Sequence, residues 1–212
     1  MNLKPIINGY FELKKTDIIH KRFKRNTNVF KALSGTTQKF SLKTLQLLQK
    51  IELGNPEAKT ELRLFLSPSC GHCHKAFEDS YNLLLTFSDK FKLSIYFNVN
   101  IENSQNSYSK ICEIITQTYL LEGGKRAIEL LKDWHINKLP SDSFEKKHIA
   151  EISEQAKAMI RSHFNWCKEN ELNYTPVKIF QETLMPNEYS INDLKYFINE
   201  LNEENLHHSI AD

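Results

Sequence analysis

The sequence has little of several features that would place a protein in a specialised class. No stretch approaches the roughly 18 apolar residues that a membrane-spanning helix needs, so no span is predicted. The formal net charge is only +2, and the one dense basic run, Lys21–Arg25, is interpreted as a solvated helix face. We therefore expect no nucleic-acid partner. Residues 1–10 lack the pattern of a signal peptide, so the sequence by itself predicts no export.

Cysteine is scarce as well. Four cysteines in 212 residues are too few for a disulfide-stapled scaffold, and two of them form a C-x-x-C pair, which indicates a redox or metal site. With 40% hydrophobic and 25% charged residues, the chain is long enough for one substantial core.

The first half of the chain combines a polar segment with three regular elements. Residues 1–57 fit helices only loosely, and 41–51 fits a helix or a strand equally well. The elements after it are a buried strand at Leu62–Leu66, a helix from Cys73 to about residue 88, and a strand over Phe91–Val99 whose alternation predicts one buried face.

The second half begins with an all-helical segment, about 108–171. Its predicted helices are 108–121, 125–137 and 144–171. Five side chains of this segment are expected to lie in the core: Cys112, Trp134, His163, Trp166 and Cys167. A disulfide between Cys112 and Cys167 is the less favoured alternative. An extended segment, a small hairpin and a final helix follow, the helix opened by a capping box at Ser190 and Asp193. Residues after about 204 are expected to fray.

The stretch from Ser67 to His74 carries the chemistry. Its two thiols, Cys70 and Cys73, lie where a strand passes into a helix. A thiolate at the first turn of a helix faces unpaired backbone N–H groups and the positive end of the dipole, which lower its pKa. We therefore predict Cys70 as the nucleophile and Cys73 as the thiol that resolves a mixed disulfide.

Two other sites could use the same residues. Cys70–His74 also reads C-x-x-C-H, the pattern of c-type haem attachment. A zinc site on Cys70, Cys73 and His74 would need a fourth ligand, and none is obvious. We favour the redox dithiol without a cofactor, with His74 as a solvent-facing residue.

The order of elements resembles the thioredoxin fold, and in particular its periplasmic disulfide-bond branch, where helices are inserted between the halves of the fold. The resemblance rests on Cys70–Cys73 and on Thr175–Pro176 about a hundred residues later. The thioredoxin-like domain fused to bacterial homologues of vitamin K epoxide reductase is a closer match, through the basic run 21–26 and motifs at 131–135 and 166–168. The expected fold class is α/β, with an N-terminal helical extension and linker (1–57), a thioredoxin-like domain (58–205) containing the insertion, and a frayed tail (206–212).

The resemblance also implies a function. The chain would exchange disulfides with protein thiols, in the oxidase or isomerase direction, because Gly71 and His72 resemble the pair in protein disulfide isomerases. Thr175–Pro176 would be a cis peptide beside the dithiol. The implied compartment is the periplasm, with the cytoplasm as the alternative because no signal peptide is visible. The implied electron acceptor is a quinone-coupled membrane oxidase of vitamin K epoxide reductase type. A non-catalytic adaptor that binds a peptide beside Pro176 is the alternative.

The sequence departs from the family pattern at one position. Many thioredoxin-fold enzymes carry a buried acid six residues before the first cysteine, where this chain has Leu64. Proton transfer from Cys73 would then use water or another group, with Glu61 and Glu78 as candidates.

Overall fold

The computed structural model describes residues 4–208 of the chain. The strands of this range are β1 (Ile51–Gly54), β2 (Thr60–Leu66), β3 (Phe91–Phe97), β4 (Val177–Phe180) and β5 (Thr183–Leu184). The α-helices are α1 (Lys4–Lys24), α2 (Thr27–Ser34), α3 (Leu42–Leu47), α4 (Gly71–Thr86), α5 (Ser109–Glu122), α6 (Gly124–His135), α7 (Ser141–Lys147), α8 (Glu154–Glu169) and α9 (Ile198–His208), and a 3-10 helix spans Ile191–Tyr196. Within this range, no helix combines the length and apolar content needed to cross a bilayer.

The strands form one sheet in the order β1-β3-β2-β4-β5. β2 and β3 are parallel, with Leu64 opposite Ile95, and the other pairs are antiparallel. The helix α4 connects the two parallel strands, so the sheet places the residues that follow β2 at the start of this helix. The sheet begins before residue 58, because β1 lies in the segment that the sequence assigned to the N-terminal extension.

Both faces of the sheet are covered. Alternate side chains of a strand point to opposite faces, and Leu64 belongs to the larger apolar cluster while Phe65 belongs to the smaller one. On the second face, Phe65 stacks between Tyr96 and Trp166, with ring centroids 4.4 and 5.0 Å apart. The prediction of one buried face for β3 is therefore wrong, since Ser94 and Tyr96 are fully buried.

The N-terminal helices differ in how they pack. Phe30 of α2 is buried and stacks on Phe197, with ring centroids 4.5 Å apart, so α2 belongs to the main core. In the basic run, Lys24 forms an ion pair with Asp193 at 3.0 Å, and the Arg25 guanidinium lies 4.3 Å from the centre of the Tyr196 ring. The solvated-face interpretation is thus incomplete, because the end of the run binds the C-terminal part of the chain.

The last predicted helix of the insertion is two helices, α7 and α8, separated by residues 148–153. The chain leaves the helix where His148 turns inward and its Nε2 contacts Asp133 Oδ2 at 2.8 Å. A new helix starts at Ser153, whose hydroxyl accepts a hydrogen bond from the Ala156 amide. Near the C-terminus, the predicted capping box is present but opens the 3-10 helix, and α9 follows it and continues to His208. Of the predicted frayed tail, residues 209–212 lie outside the described range.

A buried charge cluster anchors β2 on the second face of the sheet. The Glu61 carboxylate lies 2.5 Å from Arg63 Nη2, accepts a hydrogen bond from Ser94 Oγ at 2.5 Å, and has Lys50 Nζ 3.5 Å away. Arg63 also donates to the backbone carbonyl of Gln181, at the end of β4. The cluster thereby ties β2 to both of its neighbouring strands.

Removing the charge of Glu61 should destabilise the fold strongly. Glu61→Gln leaves the buried Arg63 guanidinium without its carboxylate, and we expect the free energy of unfolding in urea to fall by about 3 kcal/mol. The matched control is Glu182→Gln, which breaks a 2.5 Å pair with the exposed Lys39 and should cost less than about 1 kcal/mol. Equal losses in the two variants would contradict a structural role for the buried cluster.

Candidate active site

The active-site segment is a sharp passage from β2 into α4. Cys70 is the N-cap residue of α4, with extended backbone dihedrals (φ −91°, ψ 113°), and its carbonyl accepts a hydrogen bond from the Cys73 amide at 3.0 Å. The Cys70 side chain therefore lies beside the first turn of the helix, where backbone N–H groups lack helical partners. One turn later, Cys73 Sγ accepts a hydrogen bond from the Ser67 amide at 3.4 Å.

The two thiols have different surroundings. Cys70 is partly exposed, whereas Cys73 has no exposed surface. Partial burial opposes ionisation of Cys70, but hydrogen bonds with the Thr175 and Cys73 side chains outweigh it and lower the pKa of Cys70. The backbone amides of Cys73 and His72 add to this effect. Burial raises the pKa of Cys73 to about 12, against the opposing hydrogen bond from Ser67. One thiol is thus an accessible nucleophile, and the other is held protonated beneath it.

The Thr175–Pro176 segment lies against the first thiol. The peptide bond between these residues is cis, and the Cys70 thiol donates a hydrogen bond to the Thr175 carbonyl at an Sγ–O distance of 3.2 Å. Both residues are half-buried. The pairing of β4 with β2, with Val177 opposite Phe65, holds this segment in place beside the dithiol.

Gly71 and His72 lie on the surface of the first turn of α4. A Cβ added to Gly71 would meet no atom within 4 Å, so no steric contact requires a glycine here. The His72 side chain is exposed. The backbone amide of His72, and not its ring, is among the groups that lower the pKa of Cys70. The structure therefore brings Cys70, Cys73 and Thr175 into contact and leaves the His72 ring in solvent.

The helical insertion reaches the active-site segment, which the sequence did not reveal. Trp134 Nε1 donates a hydrogen bond to the Pro68 carbonyl at 3.2 Å, and His135 Nδ1 lies 3.2 Å from His74 Nδ1. The prediction of a solvent-facing His74 is wrong, because His135 covers one side of its ring. The only sequence signal for this contact was the motif at 131–135 in the family resemblance.

His135 is itself buried, and burial lowers its pKa to about 3, with the charge of His74 as a smaller cause. Its Nε2 has no hydrogen-bond partner. Burial, followed by the charge of Lys138, also lowers the pKa of His74. The pair is therefore neutral at physiological pH, with one hydrogen bond joining the two rings.

The candidates for proton transfer from Cys73 are not beside it. Leu64 is fully buried on the face of the sheet that holds Cys73. Glu61 lies on the opposite face in its charge cluster, and the Glu78 carboxylate is 3.4 Å from Lys75 Nζ. Neither carboxylate has a described contact with Cys73, so the proton acceptor for Cys73 stays a prediction.

The other two cysteines are buried thiols without a disulfide. Cys112 packs in the larger apolar cluster and Cys167 in the smaller one, so the sheet separates them. Burial raises the pKa of both thiols, that of Cys167 to about 12. The less favoured disulfide does not form in this structure.

The geometry also bears on the haem and zinc alternatives. Haem attachment would require two accessible cysteines, but Cys73 has no exposed surface. In the part of the chain that the structure describes, no three His, Cys, Asp or Glu side chains are grouped so that they could hold a metal ion. The arrangement of the two thiols favours disulfide chemistry.

The five-strand sheet and the position of the dithiol at the start of α4 define a thioredoxin-like fold with a helical insertion and an N-terminal helical extension. This confirms the predicted fold class. No protein-family model matches the sequence, and a search of curated proteins returns no match.

Several solved structures share this fold. Proteus mirabilis ScsC in a transitional conformation superposes with a TM-score of 0.63 at 14% identity, covering 96% of this chain and 100% of that one. A periplasmic thioredoxin-like protein from Salmonella enterica serovar Typhimurium gives 0.59 at 15% identity, covering 77% and 98% of the two chains. The thiol-disulfide exchange protein alpha-DsbA2 from Wolbachia pipientis gives 0.56 at 19% identity, covering 82% and 96%.

Proposed function

We propose that this protein is a thiol-disulfide oxidoreductase that exchanges disulfides with protein thiols through Cys70 and Cys73. The observation that carries the proposal is the asymmetry of the two thiols: an accessible Cys70 with a lowered pKa above a buried Cys73 whose pKa is about 12. Nucleophilic attack requires the first kind of thiol, and resolution of a mixed disulfide requires a second thiol within reach. Among the structurally similar proteins, alpha-DsbA2 from Wolbachia pipientis is described as a thiol-disulfide exchange protein, which supports the same chemistry for this chain.

In the proposed cycle, a substrate thiolate attacks the Cys70 sulfur of the Cys70–Cys73 disulfide. The bond between the two cysteines breaks, a mixed disulfide forms at Cys70, and Cys73 leaves as a thiolate that takes up a proton from water. A second substrate thiolate then attacks the substrate sulfur and releases Cys70. The substrate loses two electrons and two protons, and the Cys70–Cys73 pair gains them.

The lowered pKa of Cys70 favours this oxidising direction. Interactions that stabilise the Cys70 thiolate stabilise the reduced form of the pair, so the disulfide becomes a stronger oxidant. Oxidase or isomerase activity therefore ranks above reductase activity. The His72 ring is exposed two residues after Cys70, and we propose that it contacts the substrate.

The electron acceptor and the compartment follow from the family resemblance. Reoxidation of the dithiol would pass its two electrons to a quinone-coupled membrane oxidase of vitamin K epoxide reductase type. The proposed compartment is the periplasm, which agrees with the description of the Salmonella protein as periplasmic. The N-terminal helical extension, the thioredoxin-like domain and its insertion would act together as one unit of this system.

A redox titration tests the proposal. The protein is equilibrated with a series of glutathione mixtures, alkylated and weighed by mass spectrometry, in a Cys112→Ala/Cys167→Ala background that leaves only the two site thiols. We expect Cys70 and Cys73 to interconvert between dithiol and disulfide, with a midpoint less negative than the roughly −270 mV of thioredoxin.

The same titration decides the alternative of a non-catalytic adaptor. That alternative is favoured by Leu64, which supplies no proton acceptor for Cys73. If the two site thiols remain unpaired across the whole glutathione series, the enzymatic proposal is lost and the adaptor is retained.

A further inference from the structure

A groove of about 410 Å³ opens beside the dithiol, on the side of the helical insertion. Gly71 and His74 form one wall, and Trp134 and Lys138 belong to the other. No residue of the Thr175–Pro176 segment lines it. The groove is therefore a surface separate from the segment that faces Cys70, yet it begins at the residue next to that cysteine.

The groove carries one charge, from Lys138. None of the side chains that line it is acidic, and the ion pairs of the described residues do not include Lys138, whereas nearby Lys147 is paired with Asp133 at 2.7 Å. The backbone of Lys138 is in the left-handed region, with φ 52°, a conformation that non-glycine residues seldom adopt. The groove wall thus carries an exposed ammonium group that has no acidic partner among the described residues.

The remaining walls are neutral and fixed. Trp134 is held by its hydrogen bond to Pro68, and the Tyr108 ring lies edge-on to it with centroids 6.0 Å apart. His74 is held by His135. If His135 carries its proton on Nδ1, it donates to His74 and buries no unpaired N–H, which is the less costly arrangement. His74 then presents its own Nε2–H to the groove as a neutral donor.

We propose that this groove binds the segment of the substrate polypeptide next to its reacting cysteine and selects segments that carry an acidic side chain. The inference rests on the proposed function, because it supplies the substrate preference of the same dithiol. An extended chain advances about 3.3 Å per residue, so a substrate whose cysteine is at Cys70 reaches the groove within two or three residues. Aromatic walls accept the apolar part of such a segment, and Lys138 neutralises its carboxylate.

The test compares two peptide thiols that differ only in charge. Each has one cysteine followed two residues later by glutamate or lysine, and each reduces the oxidised full-length protein at low ionic strength. Rates are followed by acid quenching, alkylation and mass spectrometry. We expect the glutamate peptide to be preferred, and Lys138→Met to reduce the ratio of the two rates by about fivefold, the effect of one exposed ion pair. Because the ratio is compared between protein variants, the thiolate content of each peptide cancels.

The matched control is Lys125→Met, which removes an exposed charge on α6 outside the groove. It should leave the ratio within about twofold of the wild-type value, since only the general field of the protein changes. Equal ratios in the wild type and the Lys138→Met variant would overturn the inference, as would an equal effect of Lys125→Met. If the oxidised protein reacts with neither peptide, the proposed function itself fails. If the protein reacts with both peptides at the same rate, the proposed selectivity of the groove fails and the proposed function stands.

Discussion

A Cys70→Ser variant is expected to lose thiol-disulfide exchange, with the rate of oxidation of a dithiol peptide falling by about a thousandfold or more. The hydroxyl that replaces the thiol cannot form the mixed disulfide, and Cys73 cannot substitute because it has no exposed surface and a pKa of about 12. The measurement is the initial rate of peptide disulfide formation under a glutathione buffer.

The complementary variant separates the two roles. Cys73→Ala keeps the nucleophile and removes the resolving thiol, so mixed disulfides with substrate should accumulate at Cys70 and appear as added mass that a reductant removes. Cys167→Ala is the control, because Cys167 lies on the opposite face of the sheet and its loss should leave the rate unchanged. Retention of activity by Cys70→Ser, or adducts at another cysteine in Cys73→Ala, would contradict the assigned roles.

Acidification should destabilise the protein well before its carboxylates are titrated. Burial lowers the pKa of His135 to about 3 and that of His163 to about 4. In the unfolded chain both histidines bind a proton near pH 6.5, whereas the folded protein keeps them neutral, so stability falls as the pH drops below that value. Between pH 7.5 and pH 5, each histidine lowers the free energy of unfolding by about 2 kcal/mol, so we expect a total loss of about 4 kcal/mol in urea unfolding experiments.

The contacts of His163 provide the control. Its Nδ1 accepts a hydrogen bond from the Phe97 amide at 3.2 Å, and its Nε2 contacts the Gln49 carbonyl at 2.6 Å, so the ring must carry its proton on Nε2. His163→Gln should halve the loss between the two pH values, whatever it costs at pH 7.5. His20→Gln, at an exposed position, should retain the full loss. An unchanged loss in His163→Gln would show that this histidine is not the buried neutral group described here.

The parts of the fold that local patterns control could be predicted from the sequence. The apolar run Leu62–Leu66 lies within β2, and the spacing after Cys73 belongs to α4. Patterns within single elements could not show that both faces of β3 are buried. Burial of its second face depends on Phe65 and Trp166, which are distant from β3 in the sequence. The break at His148 was equally hidden, since a helical periodicity does not show that an inward histidine and a new N-cap outweigh continuation of the helix.

The candidate site divides in the same way. The dithiol could be found from its spacing and its strand-to-helix position, which together place Cys70 at the N-cap. The contact of Cys70 with Thr175 depends on the pairing of β4 with β2, and only the family resemblance indicated it. The position of Lys138 at the groove could not be predicted. The sequence around a lysine in a surface loop does not indicate which cleft it lines, because that depends on how the insertion packs against the rest of the fold.

The hydrogen bond from Trp134 to Pro68 joins the insertion to the loop that precedes the dithiol. Local opening in proteins follows cooperative units, and we expect this bond to couple the opening of the loop to the opening of α6. Amide hydrogen exchange in the loop should then keep pace with exchange in α6, and the insertion would control how often this loop becomes accessible to proteases and to unwanted thiols. Shortening the insertion in an engineered variant would consequently loosen the loop before Cys70 as well as remove a wall of the groove.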